Sequence, residues 1–399
     1  MWLGFALLLC PPQQCYAEGG EQRAAFVGLA GNNSLVIRPP PDGQVLIDGA
    51  DFRMLVERVQ GLEQVAQAQA LQLETQAQQV QQLLEAKQCT SVADTTTITG
   101  LKIVGSALVG GVLAGNGKIY GIPHFSTSVL IIDPVSNTAD TTTITGLSGS
   151  DKWTGGVLAG NGKIYGIPST STSVLIIDPT TNTADTTTIT GLSGSDKWWG
   201  GVLAGNGQIY GIPRSSASVL IIDPATNTAD TTTLRGLSTG AKWLGGVLVG
   251  NGKIYGIPWD SASVLIIDPT TNTADTTTIT GLGGGQKWAG GVLAGNGKIY
   301  CIPWASPSVL IIDPTTNTVN TNTNTGLASG GSKWYGGVLA GNGKIYGIPP
   351  NSASVLIIDP TTNTDDTTTI TGLSGDFKWY GGVLADNGKI YGIPHNSAS

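Results

Sequence analysis

The sequence predicts an all-β fold: a seven-bladed β-propeller of four-stranded, 45-residue blades with an incomplete last blade, preceded by a helical, coiled-coil N-terminal segment. Three observations predict it. Near-copies of one phrase, GGVLAGNGKIYGIP, begin at Gly110, Gly155, Gly200, Gly245, Gly290, Gly336 and Gly381, a step of 45 residues with a single step of 46. Self-similarity at that period marks a repeat architecture. Each repeat holds four strand-like runs separated by turn residues, the content of a propeller blade. The outermost run also occurs once ahead of the first repeat, at Asp94–Thr99, where it can close a ring.

Residues 1–17 read as a signal peptide. Trp2–Leu9 is a short apolar run, too short to span a bilayer, and Ala17 is the small residue that cleavage prefers. Its removal would leave Cys89 and Cys301. The alternative is a chance apolar opening from a misplaced start. Residues 18–50 form a small β-hairpin segment in this reading: Ser34–Arg38 and Gln44–Asp48 flank the turn Pro39-Pro40-Pro41-Asp42-Gly43. Residues 51–89 are a helical stalk. Leu55, Val59, Leu62, Ala66, Leu73, Val80 and Leu83 follow a 3-4 spacing, interrupted by Gln69 and Gln76. The spacing predicts a coiled coil, a homo-oligomer and an interchain disulfide at Cys89; a single amphipathic helix is the alternative.

Residues 90–399 are the propeller. In its second repeat Gly155–Ala159 is a short apolar run. Asn161-Gly162 then predicts a hairpin, because both residues tolerate the positive φ of a type I′ turn. Lys163–Pro168 follows. Ser173–Pro179 is apolar on both faces, as in a strand buried on both sides. Thr180–Thr183 is a turn, and Asp185–Thr190 a polar outer strand.

The order of these segments resembles the YVTN and NHL families of propeller repeats. There a Gly-Val strand, an Asp/Asn-Gly turn, an Ile-Tyr-Val strand and a V-x-V-[IF]-D-P/T-x-x-N-T strand follow one another. VLIIDPTTNT, Val174–Thr183, is the closest match. The resemblance covers roughly residues 93–399 and implies the fold; such propellers host many unrelated functions.

The first, second and fourth strands occur seven times and the third six times. The expectation is a ring of seven whose closing blade takes its fourth strand from Asp94–Thr99 and lacks its third. A sequence cut a few residues early is the alternative.

Composition narrows the function. The repeats hold 18 Asp against 13 Lys and 2 Arg, with no basic stripe, which argues against nucleic acid. All six Glu precede residue 90. Asp133, Asp178, Asp223, Asp268, Asp313 and Asp359 end the third strands and read as turn caps. Gly115, Gly117 and Gly121 lie between two strands, the wrong context for a dinucleotide loop. Cys301 replaces a strand glycine and reads as a buried substitution. His124 and His395 hold equivalent positions and become neighbours if the ring closes. Two loop contacts are expected of them in preference to a shared metal. No catalytic set, cofactor or metal is expected.

The repeats differ on one face only. The loops between first and second strands carry Asn-Gly in every blade, and those between third and fourth strands carry near-identical Thr-rich turns. On the opposite face the loops after the second strand read His124-Phe125, Ser169-Thr170, Arg214-Ser215, Trp259-Asp260, Trp304-Ala305, Pro350-Asn351 and His395-Asn396. The residue after each Lys-Trp pair is Thr154, Trp199, Leu244, Ala289, Tyr335 or Tyr380, with Val109 in the first repeat. Exposed aromatics on a rigid scaffold predict recognition. The candidate ligand-binding residues are Trp199, Trp259, Trp304, Tyr335, Tyr380, Arg214, Asp260, His124 and His395. The tryptophans of the Lys-Trp pairs, such as Trp153, are expected as wedges between blades, with a ring of platforms around the channel as the alternative. The reading is a secreted or surface-displayed propeller that binds a carbohydrate or protein ligand, without catalytic activity or membrane insertion. Its rivals are a lactonase-like or lyase-like hydrolase working in the channel, and a structural repeat with no dedicated ligand.

Overall fold

The computed structural model describes residues 91–101, 107–323, 325–328 and 330–399 in full. Ahead of them it describes the backbone of 26–29, 35–38, 46–47 and 50–86, with side chains over 57–78. The chain divides into two compact units, 1–90 and 91–399. The expected signal peptide, 1–17, and Cys89 lie outside the described residues.

In the first unit Phe26–Leu29 pairs antiparallel with Leu35–Arg38, and Leu46–Ile47 with Ala50–Asp51. Among the described residues, Leu35–Arg38 and Leu46–Ile47 do not pair with each other as the expected hairpin of Ser34–Arg38 with Gln44–Asp48 requires. Leu35–Arg38 pairs instead with the strand before it. A helix runs over Phe52–Ala86, free of proline and rich in residues that lose little freedom in a helix. Every side chain from 57 to 78 is exposed, Val59, Leu62, Val65, Leu71 and Leu73 included. Among the described residues no helix is long and apolar enough to cross a membrane.

The second unit is a closed ring of seven sheets, six of four strands in sequential order and one of two. The innermost strands touch all the way round, the last, Trp379–Leu384, against the first, Leu108–Leu113. Blade two is typical: Trp153–Leu158, Ile164–Pro168, Leu175–Asp178 and Thr183–Asp185 pair antiparallel in order. Its fourth strand ends where the sequence reading began it. The Asp185 carboxylate accepts from the N–H and hydroxyl of Thr187 at 2.6 and 2.8 Å and from the Thr188 hydroxyl. These bonds wind the threonines into a turn instead of a strand. In the equivalent turns the Thr233 and Thr278 hydroxyls, foremost among several donors, hold the Asp230 and Asp275 carboxyls down at about 2.

The Asn-Gly turn is not type I′. Gly117 alone has a positive φ, 75°. Ala114 O accepts from Gly117 N at 3.0 Å, and Ala114 N donates to Lys118 O at 2.9 Å. This is a three-residue loop closing on a left-handed glycine. The Asn116 side chain is then free to accept from Lys118 N and to donate to Pro179 O of the next blade, both at 3.0 Å. The buried Tyr120 hydroxyl bonds Asn182 of that blade at 2.7 Å. The face that repeats is therefore a row of blade-to-blade ties. Asp133 caps its turn as expected, accepting from Val135 N at 2.9 Å, with Lys118 Nζ 3.4 Å away.

Between blades one and two, Tyr120, Ile122, Val129 and Ile131 meet Trp153, Ile164, Leu175 and Ile177. Burying each such side chain contributes about 1.5–3 kcal/mol. Trp153 is the expected wedge, and its Nε1 donates to Ser173 O at 2.8 Å. Cys301 is a buried free cysteine whose thiol is pushed up by desolvation.

The ring closes where the sequence placed its seam. Leu101 N donates to Ala398 O at 3.2 Å, as Leu147 N donates to Thr127 O at 2.9 Å in blade one. Ile98 and Leu101 pack beside Val383, Ile393 and Leu108. Asp94 repeats the threonine-capping turn, accepting from Thr96 N at 2.8 Å. Without a third strand beside it, this segment forms no ladder strand.

Candidate functional site

The centre of the ring is backbone. The first glycine of each repeated phrase has φ between 67° and 83°. A Cβ built on any of them would stand 3.1–3.6 Å from the next glycine's Cα, round from Gly110 through Gly245 to Gly381 and back. The residues just before these glycines vary from blade to blade. Val109, Trp199, Leu244, Ala289, Tyr335 and Tyr380 form one apolar cluster with Trp259 and Trp304 from the adjoining loops. Thr154, the seventh of the set, donates its hydroxyl to Trp198 O at 3.0 Å.

The rings in this cluster pack on one another. Trp259 and Trp304 have centroids 5.4 Å apart. Trp304 meets Tyr335 and Tyr380 edge-on, 5.9 Å from each, and those two tyrosines stack at 4.6 Å. Trp199 Nε1 donates to the Tyr335 hydroxyl. Burial raises the pKa of both Tyr335 and Tyr380. The sequence reading expected these aromatics to be exposed. Trp259, Trp304 and Tyr380 are only 8, 8 and 9% exposed, while Trp199 and Tyr335 are half-buried. Seven short loops converge over a floor with no side chains, and the rings bury one another.

The remaining candidates ring this plug. The Arg214 guanidinium lies 4.9 Å over the Trp199 ring and 2.6 Å from the Asp196 carboxylate. Asp260 is exposed and accepts from Gln286 N at 2.6 Å, pinning its own loop to the next. His124 is buried, with Nε2 3.4 Å from the Asp151 carboxylate and its ring 5.8 Å from Trp199. His395 stacks flat on Tyr380 at 3.8 Å, and its Nδ1 is 2.8 Å from Leu108 O. Burial lowers the His395 pKa, outweighing that hydrogen bond, so the ring is neutral near pH 7. The two histidines flank the seam: Ala107 N donates to His395 O at 2.8 Å, and His124 N donates to Ala107 O at 2.9 Å. Among the described residues no three His, Cys, Asp or Glu side chains converge as metal ligands.

The sequence reading missed two features of this face. The lysine of each Lys-Trp pair is buried and ties its loop to the previous blade. Lys197 Nζ donates to Ser169 O, Ser171 O and Gly194 O at 2.6, 2.9 and 2.9 Å. Desolvation lowers Lys197 and Lys242 to about 8. The signal was present, since Lys-Trp is constant in six blades. Phe125 and Phe377, 39 and 42% exposed, were also overlooked beside His124 and Tyr380.

No protein-family model and no curated protein matches the sequence. The fold does match solved structures. A streptogramin B lyase structure shares 12% identity over 75% of this chain and 94% of that one, with a TM-score of 0.59. Virginiamycin B lyase from Staphylococcus aureus shares 10% identity over 73% and 93%, with a TM-score of 0.58. The extracellular domain of a putative one component system from B. thetaiotaomicron shares 12% identity over 73% of this chain and 40% of that one, with a TM-score of 0.54. At these identities the likeness is one of fold, and the chain is a β-propeller of tandem repeats.

Proposed function

We propose that this propeller is a secreted or surface-displayed, non-catalytic binding protein that recognises a protein or carbohydrate ligand through its variable face. One observation carries the reading. Five blade-specific aromatics, Trp199, Trp259, Trp304, Tyr335 and Tyr380, meet at the channel mouth, on the face where the blades differ. The opposite face uses near-identical residues from blade to blade, most of them in structural ties. Exposed Phe125 and Phe377, with Arg214 and Asp260, supply the rim of a contact surface whose centre is the half-buried Trp199 and Tyr335. Aromatic faces suit sugar C–H surfaces and peptide side chains alike. A channel enzyme would need a way in, and the packed mouth weighs against it. The likeness to the extracellular domain of a putative one component system and the apolar run Trp2–Leu9 support display outside the cell.

A glycan array and a panel of extracellular proteins, probed with the labelled full chain, would identify the ligand. Phe125→Ala, Phe377→Ala and Trp199→Ala combined should then weaken binding at least about tenfold, since aromatic anchors are the usual hot spots. The two phenylalanines are exposed, so a variant carrying only them should keep the parent melting temperature. Unchanged affinity in the triple variant would refute the aromatic face.

A further inference from the structure

We propose that Asn206, on the face opposite the aromatic cluster, is a site of spontaneous covalent modification. There the folded chain converts asparagine to aspartate and isoaspartate ahead of the tied asparagines at the same position in other blades. Asn-Gly stands in all seven first turns. A glycine, having no side chain, lets its backbone nitrogen approach the carboxamide just before it. The Gly207 nitrogen attacks Asn206 Cγ and gives up its proton; the Cγ–Nδ2 bond breaks, and Nδ2 leaves as ammonia. Water then opens the cyclic imide at either of its two carbonyls. One opening gives aspartate, and the other gives isoaspartate, with the backbone rerouted through the former side chain. Water is the sole co-reactant, and Asn206 and Gly207 are both exposed to it.

The fold restrains this reaction at two points. The first is common to the blades. The glycine nitrogen donates to a backbone carbonyl, Gly117 to Ala114 O and Gly207 to Ala204 O, each at 3.0 Å. The second is the carboxamide, which most blades tie to the next blade. Asn116 Nδ2 donates to Pro179 O at 3.0 Å, Asn161 to Pro224 O at 3.1 Å, and Asn296 to Pro360 O at 3.0 Å. A buried tyrosine doubles the tie. The Tyr120 hydroxyl bonds Asn182 at 2.7 Å, that of Tyr165 bonds Asn227 at 2.8 Å, and that of Tyr300 bonds Asn363 at 2.6 Å. In blade four the Tyr255 hydroxyl bonds Asn317 at 2.7 Å.

Blade three lacks both ties, and one substitution accounts for it. Gln208 stands where the other six blades carry lysine. Its Oε1 accepts from Asn206 Nδ2 at 3.2 Å and from the Tyr210 hydroxyl at 3.3 Å, drawing both groups back into their own blade. Asn206 Nδ2 also donates to the Tyr210 hydroxyl at 3.0 Å. Among the described residues neither side chain bonds blade four. Lysine at this position points its charge elsewhere, as Lys163 does to Asp178 at 3.5 Å, and leaves the asparagine to the next blade. The Asn206 turn can therefore open without parting two blades, and local opening of this kind sets the rate at which a folded chain reaches a reactive geometry.

The test incubates the full chain in mildly alkaline heavy-oxygen water, which labels only the aspartates and isoaspartates formed during the incubation. Proteolysis and mass spectrometry then follow each turn separately, and enzymatic methylation with an isoaspartyl methyltransferase reports the rerouted product. Asn206 should react about fivefold faster than Asn116, Asn161 and Asn296, the scale of one lost hydrogen bond. In the chain unfolded by denaturant these four asparagines should react at one rate. Gln208→Lys, which installs the residue of the other six blades, should bring Asn206 down to the rate of its counterparts. Equal rates in the folded chain overturn the proposal. A lead that survives in denaturant, or in the Gln208→Lys variant, overturns it as well, since the tie between blades would then not be what protects the others.

Discussion

Gly200 has φ of 73°, and a methyl group there would stand 3.3 Å from the Gly245 Cα. Gly207 has φ of 81° but open space around it, and Gly205 has open space without a positive φ. The three separate two costs. Gly205→Ala should be close to neutral. Gly207→Ala should cost about 1–2 kcal/mol, the left-handed penalty alone. Gly200→Ala should cost clearly more, because backbone must also move. Thermal unfolding measures all three; equal losses at Gly200 and Gly207 would mean that the ring is not tightly closed. At this scale the sequence shows identity without reason. Both glycines of the pair recur, yet the first touches the next blade's backbone, while a Cβ on the second, Gly201, would meet Ile167 Cδ1 at 2.7 Å. The constant Lys-Trp pair was legible in the same incomplete way. Its tryptophan read as a wedge, but nothing in composition says that a lysine will be buried against three carbonyls.

Strands were legible as elements because apolar runs alternate with turn residues at fixed spacing. Turns were less so. Asn-Gly suits a type I′ turn, but here Asn116 bonds across to the next blade, and the loop gains a residue. DTTTIT has the composition of a strand, but a carboxylate two residues before a threonine offers the backbone a competing partner. The N-terminal helix was legible from its composition, and its surroundings were not. Its aliphatic residues are exposed, and the sequence expectation of a coiled coil with another copy of the helix is testable. The full chain should sediment as an oligomer, and Cys89 should link it covalently in oxidising solution. A monomeric mass, together with monomer on a non-reducing gel, would exclude the coiled coil.

For the molecule as a whole, the seven-fold count and the seam were both legible, since copies within one chain can be counted and aligned. The burial of the aromatic face was not, because it depends on loops from five blades meeting over the glycine floor. The seam has a kinetic meaning. The tie from Lys197 to Ser169 joins residues 28 apart, whereas that from His395 to Leu108 joins residues 287 apart. Closing the longer loop costs about 2 kcal/mol more in chain entropy. One interface in seven is thus assembled last. The ring should breathe there. Amides of Leu101 and Ala107, bonded across the seam, should exchange with solvent well ahead of the Lys197 amide, which makes the equivalent bond to Ser169 in the body of the ring. Uniform exchange at the three would show a ring that opens only by unfolding everywhere at once. Faster exchange at the seam would make this propeller a clasp, opened and shut by thermal motion at a single place.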